Sequence, residues 1–434
     1  MKFKNLILAG ILGWSVSTAF GENLPEPDIT VATDGSGDFK TIQAAVDSIS
    51  KTNRERIVVF IKDGLYQEKI RVDASFVTLR GQSRAGTRIE FPQGADEFTQ
   101  KPDKIGRAVV NINGDDFVLQ NLTVKNTHGV IGPHAFAIYG QGDKTVITDC
   151  DVLSQGADTL AIWSRTGGGS YGARLNLRGS VDFICPRGWC YMTNCTIYQV
   201  NPHADAAIWH DGSKNPDMKF VMRDCKFDGA GSWILARHHH DAQFFLLNCA
   251  FSKTMRDLPP KRVIYPINGD KPTDADAQKN RGLDASNVWG ERAYFYNCHR
   301  DGGDYGWFTN NLSAATNATT PEQITAAWTF AGKWNPENKS RPAIKQIKVD
   351  AGQIAVTFSE SVTVKGKPRL VLSNGGAADF VSGSGSAMLN FEISGESDKP
   401  GKAVSMDLNS GAIIACEAGD TLRLANVSLP SEAK

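Results

Sequence analysis

VITDC (146–150), YMTNC (191–195), VMRDC (221–225), FLLNC (245–249) and AYFYNC (293–298) are one pattern written five times. Each is a short β-prone run, then Asp or Asn, then Cys. FVLQNLTV (117–124) carries Asn121 and Leu122 in the same phase, with Leu in place of Cys. The cysteines are separated by 45, 30, 24 and 49 residues (195−150, 225−195, 249−225, 298−249). Most gaps are near one or two multiples of about 24, a period typical of solenoids. Short strands recurring at such a period cannot each bury an apolar face, but stacked turns can do so together. Asp and Asn suit a tight left-handed corner because their side chains bond locally. The residue that follows then points inward, where a free Cys acts as a small buried hydrophobe. The expected fold is therefore all-β, a right-handed parallel β-helix with an interior cysteine ladder rather than a disulfide framework. Cys185 and Cys190, in CPRGWC, stay open as a disulfide or as free thiols.

Outward from this core, the runs FVTLRG and KTVITDC are rich in Val, Ile, Thr and Phe, as strands require. Long helical periodicity is scarce. One helix is expected over 41–50 (TIQAAVDSIS), covering the open N-terminal end of the solenoid. After about residue 338 the composition changes. NKSRP reads as a linker, and the alternating strands QIAVTFSESVTV and PRLVLS suggest a small C-terminal β-sandwich of immunoglobulin-like type.

The chain has 434 residues and a formal net charge of zero, so nothing global directs it to nucleic acid or to an acidic membrane. A polyanionic ligand would need a local basic groove. Lys2, Lys4, the short apolar run 6–16 and Ala19-Phe20-Gly21 read as a secretory signal, cleaved after Gly21. The run is too short to span a membrane comfortably. The expected division is residues 1–21 signal, 22–340 solenoid and 341–434 sandwich. The chain is expected to be secreted or periplasmic, and a monomer.

The chemistry is expected at Asp158 (in GADTL) and Asp182 (in GSVDFI), 24 residues apart (182−158) and so one turn apart. Stacked carboxylates at the strand spacing of about 4.8 Å cannot both ionise cheaply. One should stay a neutral acid while the other is an ionised base or nucleophile. His134 lies another 24 residues upstream (158−134), in the same expected column. Arg237, in ILARHHHD, follows Asp182 after 55 residues (237−182), about two turns, and could hold it ionised through a bidentate pair. Alternation places Arg237 and His239 on one face and His238 and His240 on the other. That splitting argues against a metal site in the histidine run. Trp163, Tyr171, Trp189 and Trp209 could stack on sugar rings or simply pack, and NPHADAAIWHDGS, with Trp209 and His210, reads as a substrate loop. Gly168–Gly172 matches G-x-S-x-G, but that motif makes Ser170 a nucleophile only between a strand and a helix. Here it reads as a Gly-rich loop, a wall of the groove.

These motifs resemble the pectinesterases. The resemblance runs from VATDGSGDFKTIQAAVDSI through VVFIKDGLYQEKI, ADTL, GSVDFI and ILAR, over about three quarters of the chain. ADTL, VDFICPRGWC and RHHHDAQFFLLNC look especially like the bacterial branch. The resemblance implies hydrolysis of methyl esters on the galacturonate units of pectin. It implies Asp182 as nucleophile, Asp158 as general acid and then base, Arg237 as the orienting arginine, an acyl-enzyme anhydride, and no metal or organic cofactor. Two departures stand out. The family glutamine before the acid Asp is Ala157 here, and the other oxyanion glutamine aligns with His134. One such donor is typically worth about 2.7–4 kcal/mol. The tryptophan two residues beyond the arginine becomes His239. His134, His239, Trp189 and Trp209 are the candidate substrate-binding residues. Competing readings are a β-helix glycosidase using the same two carboxylates, and a non-catalytic pectin- or glycan-binding protein.

Overall fold

The computed structural model describes residues 27–164, 168–203, 205–211, 215–267, 269–315, 320–337, 344–350, 352–394, 401–408, 412–415 and 427–428. The signal segment, the NKSRP linker and Cys416 lie outside them.

The β-prone runs form a right-handed parallel β-helix with three faces. A ten-stranded sheet runs from Ile29–Val31 to Arg292–Tyr296, and a nine-stranded sheet from Gly64–Tyr66 to His299–Arg300. Both are parallel throughout. The third face is interrupted. Four strands, ending at Leu160–Ile162, are followed only by single bridges, Leu160 to Ile184 and Ile184 to Ile208. It then resumes as Ala206–Trp209, Ile234–His238 and Lys261–Arg262. Asp158 and Asp182 stand at this interruption.

The corner between the two long sheets is where the repeated pattern acts. Asn121, Asp149, Asn194, Asp224, Asn248 and Asn297 all have left-handed backbones, φ between 48° and 56°. Side chains also link adjacent rungs: Asn248 donates to Asp224 Oδ1 at 2.9 Å, and Asn297 donates to Asn248 Oδ1 at 3.0 Å. The following residues, Leu122, Cys150, Cys195, Cys225, Cys249 and Cys298, are buried in one continuous core. Two gaps are explained differently. The 45-residue gap is two turns, because Arg174 (φ 54°) and Leu175 occupy the intervening rung with an arginine at the corner. The 49-residue gap is one turn, since Gln243–Leu247 pairs directly with Arg292–Tyr296. Its extra length is an excursion that holds the 13-residue helix Asp274–Ser286. That helix has one buried side chain, Leu283, and so little apolar periodicity to announce it.

The N-terminal helix is Ile42–Asp47, with Thr41 as N-cap. The Glu68 carboxylate accepts from the Ile42 and Gln43 amides at 2.8 and 2.9 Å, supplying the anion that a helix N-terminus favours. At the other end of the solenoid, residues 320–337 lie on the outer face of the ten-stranded sheet. There Phe330 and Trp334 pack with Val118, Val146, Tyr171, Tyr191 and Phe245. Beyond them, residues 344–428 contribute an eight-stranded antiparallel sheet with a separate core of Ile354, Val356, Leu370, Leu389 and Phe391. Its long strand Gln353–Lys365 shifts register between Thr357 and Val362, pairing first with Ser386–Ser394 and then with Ala412–Ala415.

The G-x-S-x-G stretch is a strand, not a loop. Gly169–Ala173 lies inside the ten-stranded sheet, and Ser170 pairs with Thr145 and Cys190. Ser170 is buried and lines a small apolar interior cavity with Ile147, Ile184 and Met192. Tyr171, one residue on, faces outward onto Trp334's cluster, as alternation requires.

Candidate active site

Leu160 bridges Ile184, which sets Asp158 and Asp182 one rung apart. Both aspartates have left-handed backbones, φ 54° and 48°. That conformation costs most residues energy and gathers at functional sites. Each carboxyl is almost fully buried, with 7 and 8% exposure. The Asp158 amide donates to the Val181 carbonyl and the Asp182 amide to the Ala206 carbonyl, which ties both to the next rung.

Arg237 grips one of the two. Its Nε donates to Asp182 Oδ1 at 3.0 Å and its Nη2 to Asp182 Oδ2 at 2.7 Å, the strong bidentate geometry. It does so from three residues farther along the coil, because its backbone partner is Trp209. Its guanidinium lies 5.2 Å from the Trp209 ring. Burial works against this cation, but the charge and hydrogen bonds of Asp182 outweigh burial and raise its pKa.

Burial pushes both carboxyls up to about 7, with Arg187 and Arg237 opposing that rise at Asp158, and Arg237 opposing it at Asp182. The Asp158 charge raises Asp182 further. Only Asp182 is hydrogen-bonded to a guanidinium, so the first ionisation of the pair falls on Asp182 and the shared proton stays on Asp158.

His134 bridges Ala157, not Asp158, so the expected column is out by one residue. The side chain nonetheless reaches the acid, with Nε2 3.7 Å from Asp158 Oδ2, and it is 60% exposed. The irregular third face allows such a slip because single bridges do not enforce register. Arg237 and His239 share a face, as alternation predicts. His239 meets the Trp209 ring edge-on at 4.3 Å and approaches Tyr265 Oη at 2.6 Å. His238 turns inward and contacts Glu291 at 3.1 Å. His240 leaves the strand and is exposed, bonding Ser286 Oγ.

The expected substrate loop is partly a strand, Ala206–Trp209. Trp209 faces the site, whereas His210 is fully buried inside the solenoid beside Phe220. Burial lowers the His210 pKa to about 4, so the ring is neutral. Trp189 is on a different sheet from the aspartates, and the Lys219 ammonium lies 4.8 Å from its ring. Cys185 and Cys190 are both free, and they belong to different clusters. Cys185 packs with Phe136 and Trp209 outside the solenoid, while Cys190 belongs to its interior core.

Two contributors were not singled out from the sequence. Arg187 stacks over Trp163 at 4.1 Å and is the largest charge acting on Asp158. Trp163 bridges Arg187, which bridges Asp211, each step again 24 residues (187−163, 211−187), so the period could have found them. Tyr265 arrives from the long excursion, which no period could place. Arg187, Arg237, and Lys279, which lies 3.4 Å from the Tyr265 ring, make this face locally basic in a chain of zero net charge.

A family model described as Pectinesterase matches residues 28–247, just over half of the chain. Among curated proteins, the chain is 30% identical over 207 residues to a pectinesterase of Petunia integrifolia, covering 46% of this chain and 54% of that one. It is 28% identical over 212 residues to Pectinesterase 2 of Citrus sinensis, covering 48% and 40%. The chain thus spans about half the length, or less, of these relatives. Among solved structures, it is similar to pectin methylesterase from carrot, with TM-score 0.54, 19% identity, and coverage of 71% of this chain and 94% of that one. It is also similar to the pectin methylesterase of Erwinia chrysanthemi, with TM-score 0.53, 19% identity, and coverage of 72% and 99%. At that identity the likeness is one of fold. The matched residues end at 247, within the solenoid, before the long excursion begins.

Proposed function

The chain belongs to the pectinesterase family, and from that premise we propose that it removes methyl esters from the galacturonate units of pectin. The observation that carries the reading is an asymmetry: two buried carboxyls one rung apart, of which only Asp182 is gripped by an arginine. Asp182, ionised, attacks the carboxymethyl carbon. The tetrahedral oxyanion collapses to an acyl-enzyme anhydride and expels methoxide, which takes the Asp158 proton and leaves as methanol. Asp158, now a base, draws a proton from water. The resulting hydroxide attacks the anhydride, frees the galacturonate carboxylate and restores Asp182. Arg237 fixes the attacking oxygen and keeps Asp182 charged.

His134 is the polar side chain in reach where the family has an oxyanion glutamine, since Ala157 offers no side-chain donor. Trp209 and His239 would form the sugar platform beyond the arginine. We read residues 341–434 as an immunoglobulin-like accessory module, and the whole as a monomeric protein acting outside the cytoplasm. The likeness to the bacterial branch rests on VDFICPRGWC and RHHHDAQFFLLNC.

The test is methanol release from highly methylated pectin by wild type and Asp182→Asn. Asn also tolerates a left-handed backbone, so the fold should survive. Wild type should release methanol without shortening the polymer, and the variant should be slower by about 10⁴-fold or more. Equal rates would remove Asp182 from the mechanism. Retained binding with no turnover by either protein would favour the non-catalytic reading.

A further inference from the structure

A second cavity opens on the outer face of the ten-stranded sheet, around the corner from the aspartates. It encloses about 330 Å³ and is lined by Lys144, Gly169, Trp189, Phe330, Lys333 and Trp334. From Asp182 the coil runs through Arg187 to Trp189, a path of at most about 25 Å. The cavity is roofed by the segment that closes the solenoid, so it belongs to a different surface from the catalytic face.

Its construction is specific. Gly169 pairs with Trp189 on the neighbouring strand. A Cβ at Gly169 would come within 2.7 Å of Phe330 Cε1 and 2.8 Å of Trp334 Cζ3, so glycine keeps this floor clear. Lys219 follows on the next rung and fixes the indole. Its ammonium lies 4.8 Å from the Trp189 ring and 4.6 Å from the Trp328 ring. Lys219 is 8% exposed, and its Nζ donates to the Asp217 carbonyl at 2.9 Å.

The charge around the cavity is positive. Lys144 and Lys333 line it, and neither is in a salt bridge among the described residues. The one acidic lining residue, Asp143, already accepts from Ser164 Oγ and, at 3.2 Å, from the Gly168 amide. Glu337, nearby in sequence, accepts from Tyr171 Oη at 3.1 Å. A partly exposed indole beside lysines, in a space of one to two sugar rings, suits a ring with an apolar CH face and a carboxylate. A neutral sugar would leave the lysines unused, and an inorganic anion would leave the indole unused.

We infer that this cavity is a second binding site, for an acidic sugar residue of the uronate class, which holds the polymer away from the aspartates. The identity of the polymer rests on the proposed function; the cavity's chemistry does not. A site of this kind raises the effective concentration of a long chain at the catalytic face and does nothing for a fragment too short to reach both.

The experiment titrates de-esterified trigalacturonate into the full chain carrying Asp182→Asn, by calorimetry. Two classes of site are expected. The second should vanish in the Lys144→Glu, Lys333→Glu double variant and weaken at least about tenfold in Trp189→Ala, with folding checked by circular dichroism. Neutral galactotriose should bind this site at least about tenfold more weakly. An unchanged isotherm in the double variant would overturn the site, and equal affinity for galactotriose would overturn the uronate class. With Asp182 intact, the double variant should raise the half-saturating concentration of long pectin about fivefold or more and leave turnover of a methylated trimer unchanged. Absence of turnover in every protein would defeat the proposed function and leave the calorimetric answer standing.

Discussion

Two aspartates in this molecule are held by arginines in the same bidentate way, and the consequences are opposite. At the solenoid corner, Arg174 donates to Asp149 at 2.6 and 2.7 Å. On the third face, Arg237 donates to Asp182 at 3.0 and 2.7 Å. Both aspartates have left-handed backbones, with φ 56° and 48°. The side chains of the first pair are 51 and 31% exposed, and those of the second 14 and 11%. Water screens the corner pair and competes with it, so it is worth little. The buried pair has lost its water, and a second carboxyl lies one rung away. The lesson is that hydrogen-bond geometry does not make the site. Burial turns an ordinary corner device into chemistry.

The comparison can be broken most forcefully at the arginines. Arg237→Ala should lower stability by about 3–5 kcal/mol near pH 8, because it leaves a buried charge without its partner. Below pH 6 the loss should shrink, since Asp182 can then take up a proton. Arg174→Ala should cost no more than about 1 kcal/mol at either pH. Urea unfolding of both variants decides this, and equal losses would mean that burial does not separate the pairs.

A smaller effect sharpens the contrast from the acid's side. Burial raises the folded-state pKa of Asp158 from 3.8 to about 7. The folded protein therefore binds that proton more tightly than the unfolded chain does. Stability from this group is full below about pH 4 and falls as the pH rises to about 7. Asp158→Asn should match wild type near pH 4 and exceed it at pH 8 by about 2–4 kcal/mol, while activity is lost. A stability difference that ignores pH would refute the elevated carboxyl. The same two carboxyls predict bell-shaped methanol release centred near neutrality, failing on the acid side as Asp182 protonates and on the alkaline side as Asp158 loses its proton.

The smallest effect is the control. Asp149→Asn keeps a residue that accepts the left-handed corner and removes only an exposed ion pair. Its stability should stay within about 0.5 kcal/mol of wild type, with unchanged methanol release. A larger loss, in thermal unfolding or in rate, would show that the corner supports the site.

Much of this was written in the chain itself. The corner motif, Asp or Asn followed by Cys or Leu, fixes a left-handed turn and an inward side chain by local sterics and burial alone, so its recurrence announces the solenoid. The 24-residue step from Asp158 to Asp182 likewise sets them one rung apart, because parallel pairing converts a constant sequence interval into a constant spacing. Where the period fails, the tertiary structure decides. Arg174 broke the Asx rule at its corner, so the two turns from Cys150 to Cys195 could be counted only from strand pairing. The single turn from Cys249 to Cys298 hides a helix whose one buried side chain leaves no pattern. His134 slipped one residue because isolated bridges do not hold register. Ser170 and His210 were decided by which side of a strand they occupy, and an Asp by whether water reaches it. Local sequence specifies backbone conformation and interval, whereas burial is a property of everything packed around a residue, and at this site burial sets the chemistry.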